Sequence, residues 1–265
     1  MRNADRNPIS KALKALSWLV QTEPDEVGVR EMASALRVSP SSAHRLLSAL
    51  VEEGFVRQDE RTARYSLGLE FLRLAHVAIA RAPVRQAALP HMRRLVDACN
   101  ETALLGLYDP ARQEMIFAAS VDSTHSLRYA IELNRWIPVY AGASGLAIMA
   151  FLSDAEIRSI IERTRLVPLT GRSITESYRL EAELENIRRL GFAVTHGHRI
   201  AGAVGLAAPI FGAAGEVVGD ICLTIPEQRF DESSKGRLIE LLRTCAACVT
   251  VDISGHPMQT NEAAA

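Results

Sequence analysis

The chain has 265 residues, of which 48% are hydrophobic and 23% charged, and its net charge is −1. This composition supports a large core and excludes a disordered chain, and the near-neutral charge means that nucleic-acid binding can be argued only from a local surface. With no run of 18 apolar residues and no apolar segment at the start, we expect neither a membrane span nor a secretory signal, and the four cysteines fit a reduced, cytoplasmic protein.

Hydrophobic periodicity divides the first 67 residues into three helices and a hairpin. The predicted helices cover 9–20, 30–36 and 40–53, and the predicted strands cover 55–58 and 63–67. Ser39 is a favourable N-cap for the third helix, with Pro40 at its first position, and Gly54 ends it. This order of elements predicts a helix-turn-helix followed by a wing.

The third helix has the two faces that a DNA-reading helix needs. Its apolar residues repeat at i, i+3, i+4 and i+7, which leaves a polar outer face. Small hydroxyls at its start allow close approach to phosphates, and Arg45 and His44 can reach a phosphate or a base edge. The neighbouring helix and the hairpin add further arginines. The candidate DNA contacts are Arg30, Ser39, Ser41, Ser42, His44, Arg45, Ser48, Arg57, Arg61 and Arg64.

The charge count of this segment leaves an alternative open. Residues 30–67 contain six arginines and five acidic residues, so the surplus of positive charge is only one. Charge alone therefore favours a helical bundle whose charges are merely solvated. The pattern favours DNA because four of the acids, Glu52, Glu53, Asp59 and Glu60, fall at the helix end and the turn.

After residue 67, helices mix with antiparallel strands, which indicates an α+β unit. Helical patterns cover 69–81 and 84–99, with Pro90 a kink or boundary, and we place a linker at 68–84. The later predicted elements are strands at 103–107, 115–121, 127–131, 192–195, 204–211 and 217–225 and helices at 144–151, 154–163, 182–190 and 230–251. The predicted domains are therefore 9–67, the linker 68–84, 85–252 and a disordered tail at 253–265.

Candidate metal-binding and catalytic residues show weaker sequence patterns than the helix-turn-helix does. Cys245 and Cys248 form a single CxxC without the second pair of a structural zinc site, which favours core packing. His196 and His198 could bind a metal only with a third ligand, and Ser144 is not in a G-x-S-x-G turn. We therefore predict no catalytic residue, no metal and no cofactor.

Four blocks of sequence resemble the IclR family of bacterial transcription regulators in order and spacing. They are SPSSAHRLLSALVEEGFV, YSLGLEFLRL, WIPVYAGASGLAIMAFL and LEAELENIRRLGFAVTHGHRIAGAVGLAAPIFGAAGEVVGDICLTIP, and the resemblance runs from about Ile9 to Val251. It implies a winged helix-turn-helix, a linker helix and a C-terminal GAF-like effector-binding domain. It also implies a homodimer, often paired into a tetramer, that controls genes, commonly catabolic ones, in response to small organic acids or aromatics.

The resemblance also implies an effector cavity between the turn at 142–145 and the strands around 192–195, 204–206 and 219–225. Carried over by position, its candidates are Ala143, Ser144, Thr195, Gly205, Cys222 and Thr224. The sequence departs from the family where Thr195, His196, Gly197 and His198 replace an acidic run, and where Leu146 replaces the usual lysine after Gly145. We therefore expect an anionic or polar effector, oriented by Ser144 and Thr224, with His196 or His198 as counter-cation. Cys222 and Thr224 are equally explained as half-buried strand residues.

Together these observations predict a cytoplasmic repressor of a catabolic or metabolic operon that binds double-stranded operator DNA and is not an enzyme. Effector binding would favour one arrangement of the C-terminal domains and, through the linker helices, change the spacing of the two recognition helices. Two alternatives stay open: a DNA-binding protein without small-molecule control, and a sensor whose N-terminal module binds a protein partner. No contact with a membrane is expected.

Overall fold

The computed structural model describes residues 7–22 and 25–255. The chain divides into two compact units, residues 1–82 and residues 83–265, and each is described by itself. That division falls inside the predicted linker, whose limits of 68–84 stay a prediction. Within the described residues, no helix combines the length and apolarity needed to cross a bilayer.

The N-terminal unit contains the predicted helices and hairpin. Its elements are α1 (Pro8–Gln21), α2 (Val29–Leu36), α3 (Pro40–Glu52), β1 (Val56–Gln58), β2 (Tyr65–Leu67) and α4 (Leu69–Ala80). The two strands pair antiparallel, with Arg57 opposite Ser66. Val27 extends this small sheet, because it exchanges both backbone hydrogen bonds with Tyr65 at 2.8 Å.

Short-range chemistry sets the turn between α2 and α3. Arg37 adopts a left-handed conformation at φ 53°, and the Val38 N–H donates to the Ala33 carbonyl at 3.0 Å, which ends α2. Ser39 then caps α3 by accepting from the Ser42 N–H at 3.3 Å. The inner faces of the helices and hairpin share one core that includes Leu19, Met32, Ala43, Leu47, Leu50 and Tyr65.

The C-terminal unit is built on a six-stranded antiparallel sheet. The strands are β3 (Thr102–Asp109), β4 (Glu114–Val121), β5 (Ile137–Pro138), β6 (Ala193–His196), β7 (Ala203–Phe211) and β8 (Val217–Pro226), in the spatial order β5-β4-β3-β8-β7-β6. The strand predicted at 127–131 is wrong, because this segment is irregular and Arg229 donates to the Leu127 carbonyl at 2.9 Å. The short β5 instead forms the sheet edge by pairing with β4.

Helices cover both faces of this sheet and create two cores. One face packs against α5 (Pro83–Cys99) and α9 (Lys235–Ser254), and its core includes Met92, Leu242 and the buried Cys245. The other face packs against α6 (Gly142–Met149), α7 (Asp154–Thr164) and α8 (Ser177–Leu190). The chain between β6 and β7 lies near the start of α6, where the candidate effector residues meet.

Two helix limits differ from the prediction. Pro90 is no boundary, because α5 continues through it and buries Ala88 and Met92 on either side. The last helix begins at Lys235 rather than residue 230, since Asp231 caps a short 3₁₀ turn by accepting from the Ser233 N–H at 2.9 Å. It also extends to Ser254, so the tail cannot begin at 253, and residues 256–265 of that predicted tail lie outside the described residues.

Candidate DNA-binding surface and effector cavity

The outer face of α3 carries the polar residues that the sequence predicts. His44 and Arg45 are exposed, Ser42 and Ser48 are half-buried, and the opposite face buries Ala43, Leu47 and Leu50. Neither His44 nor Arg45 is turned into the protein, so both side chains are open to a partner.

A cluster of hydroxyls lies at the N-terminus of α3. The Ser39 Oγ donates to the Ser42 Oγ at 2.9 Å and lies 3.2 Å from the Ser41 Oγ. Ser39 and Ser41 are exposed. A helix N-terminus surrounded by small hydroxyls is a favourable place for a phosphate, because amide and hydroxyl donors converge there.

The three hairpin arginines have different surroundings. Arg61 is exposed, whereas the Arg57 Nε donates to the Ser66 Oγ across the hairpin at 2.8 Å. Arg64 lies against α2, where its Nη2 donates to the Glu31 carboxylate at 2.9 Å and to the Glu26 carbonyl at 2.8 Å. Arg64 therefore ties the wing to α2, and its guanidinium is engaged within the protein.

Two neighbouring charged residues at the start of α2 have different surroundings: Glu31 is hydrogen-bonded within the protein, and Arg30 is exposed. The Glu31 carboxylate accepts from the Gly28 N–H at 2.8 Å, and this bond, assisted by Arg64, holds the pKa of Glu31 below its ordinary value. Arg30, the next-door neighbour, is exposed in the first turn of the helix. It remains open to a phosphate.

In the C-terminal unit, one cavity gathers all six residues that the family resemblance assigns to the effector. Its volume is about 40 Å³, and its walls come from α6, β6, β7, β8 and the turn before β7. The lining includes Ala143, Ser144, Thr195, Gly205, Cys222 and Thr224. Gly142 turns the chain into α6 with φ 81°, which brings the helix N-terminus to the cavity wall.

His196 is not part of this lining, and its assignment as an effector residue is wrong for this cavity. Neighbouring residues of a strand point to opposite faces, so Thr195 faces the cavity and His196 faces away. Its ring instead lies 5.7 Å from the Phe230 ring centroid and 4.0 Å from the Glu232 carboxylate. His198 does line the cavity, but burial lowers its pKa and favours the neutral ring.

The cation of the cavity is Arg199, which the sequence interpretation missed. Its guanidinium carbon lies 4.9 Å from the Phe117 ring centroid, and its side chain packs on Gly142. Burial is the main influence on the pKa of Arg199 and lowers it, yet a guanidinium keeps its charge in proteins. The turn that carries Arg199 is fixed by Ser173, whose Oγ donates to the His198 carbonyl at 2.7 Å.

Among the buried polar groups that make no hydrogen bond of ordinary geometry, two lie beside the cavity and close to each other. They are the Ser144 Oγ, which belongs to the lining, and the carboxylate of Asp220, which lies behind it on β8 next to Gly106. Burial raises the pKa of Asp220 to about 7, an effect that the nearby Ser144 and Arg199 only partly offset. Unpaired groups of this kind are rare in interiors and mark places where a ligand or water completes the bonding.

No cluster that could hold a metal occurs in the part of the chain that the structure describes. The hypothesis that His196 and His198 bind a metal therefore finds no third ligand there. β6 ends at His196, and His198 lies in the irregular turn that follows, where its ring lines the cavity while the His196 ring packs on Phe230.

Two family profiles match the sequence. The IclR helix-turn-helix domain covers residues 8–60, and the bacterial transcriptional regulator IclR C-terminal domain covers residues 76–251. The chain belongs to the IclR family. This confirms the predicted fold class, a helix-turn-helix unit followed by an α+β unit. It also confirms that this IclR protein is a DNA-binding transcriptional regulator and not an enzyme.

Individual relatives align with this sequence over most or nearly all of its length. The HTH-type transcriptional regulator KdgR of Escherichia coli is 27% identical over 261 residues, which cover 97% of this chain and 98% of KdgR. The glycerol operon regulatory protein of Streptomyces griseus is 30% identical over 229 residues, covering 86% and 89% of the two chains. The fold also matches the crystal structure of an IclR homologue complexed with 4-hydroxybenzoate from Microbacterium hydrocarbonoxydans, with a TM-score of 0.79, 22% identity and coverage of 94% and 100%.

Proposed function

We propose that this IclR protein represses a metabolic operon and that a small organic or aromatic acid, bound in the C-terminal cavity, releases it from operator DNA. The observation that carries the proposal is the buried, unpartnered Ser144 Oγ at the N-terminus of α6, in a cavity that also contains a guanidinium. A carboxylate there would accept hydrogen bonds from the hydroxyl and from helix amides. The 4-hydroxybenzoate complex of one homologue supports an aromatic acid as the effector. The glycerol operon named for one relative supports a metabolic operon as the target.

At the DNA, the proposal assigns α3 to the major groove. Arg45 would contact a guanine or a phosphate and His44 a base edge, while Ser39, Ser41 and Ser42 would contact phosphates beside the helix start. Arg30, Arg57 and Arg61 would contact the backbone from α2 and the wing. Arg64 would support them by holding the wing in place through Glu31. An operator-binding protein works where the chromosome is, so we place it in the cytoplasm.

We further propose that the regulator acts as a homodimer, with the option of pairing into a tetramer. Apolar side chains on α1 and α4 are exposed in the single chain, among them Leu13 at 60%, Leu69 at 82% and Ile79 at 50%. A second copy would cover them and set the distance between two recognition helices, which a dimer matches to half-sites one or more helical turns apart. The linker 68–84 would then change that spacing when the effector binds. A coupling free energy of roughly 1–3 kcal/mol between the effector site and the DNA site corresponds to about a 5- to 150-fold change in operator affinity.

The DNA assignment is tested by Arg45→Gln in the full-length chain. Operator affinity, measured by fluorescence anisotropy on a fragment from the regulator's own promoter region, should fall about 10- to 100-fold, the range for a good base contact. The matched control is Arg73→Gln, which removes the same charge from an exposed residue of α4 that pairs with Glu70. Equal losses for the two variants would contradict a specific role for Arg45.

The cavity assignment is tested by Ser144→Leu and Thr224→Val. The readout is release of operator DNA by a panel of pyruvate, glyoxylate and 4-hydroxybenzoate, because the parent protein should respond to at least one small acid and the variants should need far more of it. Ser159→Leu, at an exposed position on α7, is the control for the leucine substitution. Unchanged responses in both cavity variants would remove the effector from this site.

A further inference from the structure

Arg199 stands between two neighbouring cavities of the C-terminal unit. It lines the inner cavity described above, and it also lines an outer cleft of about 310 Å³. Ile137 and Ile200 are the other residues common to both. The two spaces therefore share a wall whose charged part is one guanidinium, stacked on Phe117.

The inner cavity is small, and hydroxyl groups and one guanidinium lie among its mostly apolar walls. Its volume of about 40 Å³ exceeds what one water molecule requires but is far below a typical ligand site of roughly 300–1,000 Å³. Its hydroxyls, on Ser144, Thr195 and Thr224, are all more than nine-tenths buried, and none of the lining residues that the structure describes is acidic. This space suits one carboxylate group and little more.

The outer cleft is larger, and no hydroxyl side chain occurs among its lining residues that the structure describes. Its walls are largely apolar: Ala130, Ile131, Trp136, Ile137, Pro138, Leu169 and Ile200. Two charged side chains at its rim, Glu132 and Arg135, pair with each other at 2.8 Å and are both 68% exposed. The cleft therefore offers an aliphatic or aromatic group a dry wall without requiring a charged partner from the ligand.

We propose that Arg199 selects the effector, by binding its carboxylate at the junction of the two cavities while the apolar body of the same molecule occupies the outer cleft. The inference rests on the proposed effector role of the inner cavity and specifies the chemical class of the effector. We expect monocarboxylates with a hydrophobic body of about six carbons or more to bind in preference to two- or three-carbon oxo acids. Guanidinium–carboxylate pairing is directional and strong when water is excluded, so it discriminates an acid from its neutral amide.

Asp220 does not oppose this arrangement. Its carboxyl group is enclosed behind the wall that Ser144 forms and is not part of the inner lining. Because burial raises its pKa to about 7, a large fraction of it is uncharged near neutral pH. A ligand carboxylate beside Arg199 therefore does not face a full negative charge from β8.

The experiment measures binding of benzoate, hexanoate, benzamide and pyruvate to the full-length protein by isothermal titration calorimetry. Benzoate or hexanoate should bind, and benzamide and pyruvate should bind at least 10-fold more weakly. Arg199→Gln should weaken benzoate binding about 10- to 100-fold, the range for losing a hydrogen-bonded charge, whereas Arg199→Lys should retain a substantial part of it. Arg158→Gln, an equal change of charge at an exposed position on α7, is the control.

A second variant addresses the outer cleft. Leu169→Glu places a carboxylate on its apolar wall and should weaken benzoate binding, while circular dichroism melting shows that each variant is folded. The inference is overturned if benzamide binds as well as benzoate, if Arg199→Gln binds benzoate unchanged, or if pyruvate alone binds. Failure of both benzoate and hexanoate to bind also overturns it. Release of operator DNA by glyoxylate, measured on the same preparation, would then show the proposed function intact.

Discussion

The buried carboxyl of Asp220 makes a quantitative prediction about stability and pH. Its pKa is about 7 in the folded chain against an ordinary value of 3.8, so the folded state binds the proton more tightly than the unfolded state. Stability contributed by the proton is therefore present at low pH and is lost as pH rises from about 4 towards 7 and above. At 1.36 kcal/mol per pKa unit, the ionised form lowers the free energy of unfolding by roughly 4 kcal/mol at pH 8.

Asp220→Asn removes this charge with almost no change of shape. The variant should be more stable than the parent by an amount that grows by about 3 kcal/mol between pH 5 and pH 8, because its amide does not titrate in that interval. Denaturant midpoints of the full-length chain, at one protein concentration and four pH values, give the comparison. Asp97→Asn, an exposed position on α5, is the control. A stability difference independent of pH would refute the reasoning, since it would mean that Asp220 has the same charge in both states.

Three further predictions concern the two units separately. Leu47→Ala, in the buried core beneath α3, should lower the unfolding free energy by about 2–5 kcal/mol in chemical denaturation and weaken operator binding with it. Glu101→Gln breaks the pair with Arg229, whose Nε–Oε1 distance is 2.8 Å, and should lower the unfolding free energy by about 3 kcal/mol because the guanidinium is left half-buried without its partner. Operator affinity should fall roughly 100-fold between 50 and 200 mM salt if about four phosphates are neutralised, and an affinity indifferent to salt would favour a protein partner for the N-terminal unit.

Sequence patterns predicted the DNA-binding unit well because its structure depends on neighbours in the chain. Ser39 and Pro40 define the start of α3 through local capping chemistry, and the leucine repeat defines its buried face. The same local logic applied to β6 would have placed His196 on the side of the sheet away from Thr195. The error came from assigning His196 as a counter-cation, at a place where the sequence departs from the family, without applying the alternation of the strand.

Arg199 could not be found in this way. It lies in an irregular turn between two strands, where no periodicity predicts the direction of a side chain. Its position depends on contacts with residues more than 20 positions away, such as the hydroxyl of Ser173 on the His198 carbonyl, and on the close approach of Gly142. The predicted strand at 127–131 failed for a related reason, since the distant Arg229 takes the Leu127 carbonyl.

Four buried residues in the described part of the C-terminal unit have polar side-chain atoms without a hydrogen-bond partner: Tyr108, Ser123, Ser144 and Asp220. Ser144 lines the effector cavity and Asp220 lies next to Ser144, and these two neighbouring groups support a binding role for the cavity. A buried hydroxyl and a buried carboxyl without partners each destabilise the folded chain, and an interior optimised only for stability would contain an alanine or a leucine instead. Both groups lie beside a cavity that holds a guanidinium at its mouth and a helix N-terminus in its wall. An anionic ligand would recover bonding for Ser144 and a counter-charge for Arg199 at once, whereas an empty cavity recovers neither. The residues that lower the stability of the free protein would then be the ones that bind the ligand. If they bind it more tightly in one conformation than in the other, ligand binding shifts the balance between the two conformations, and this shift is what coupling to a distant DNA site requires.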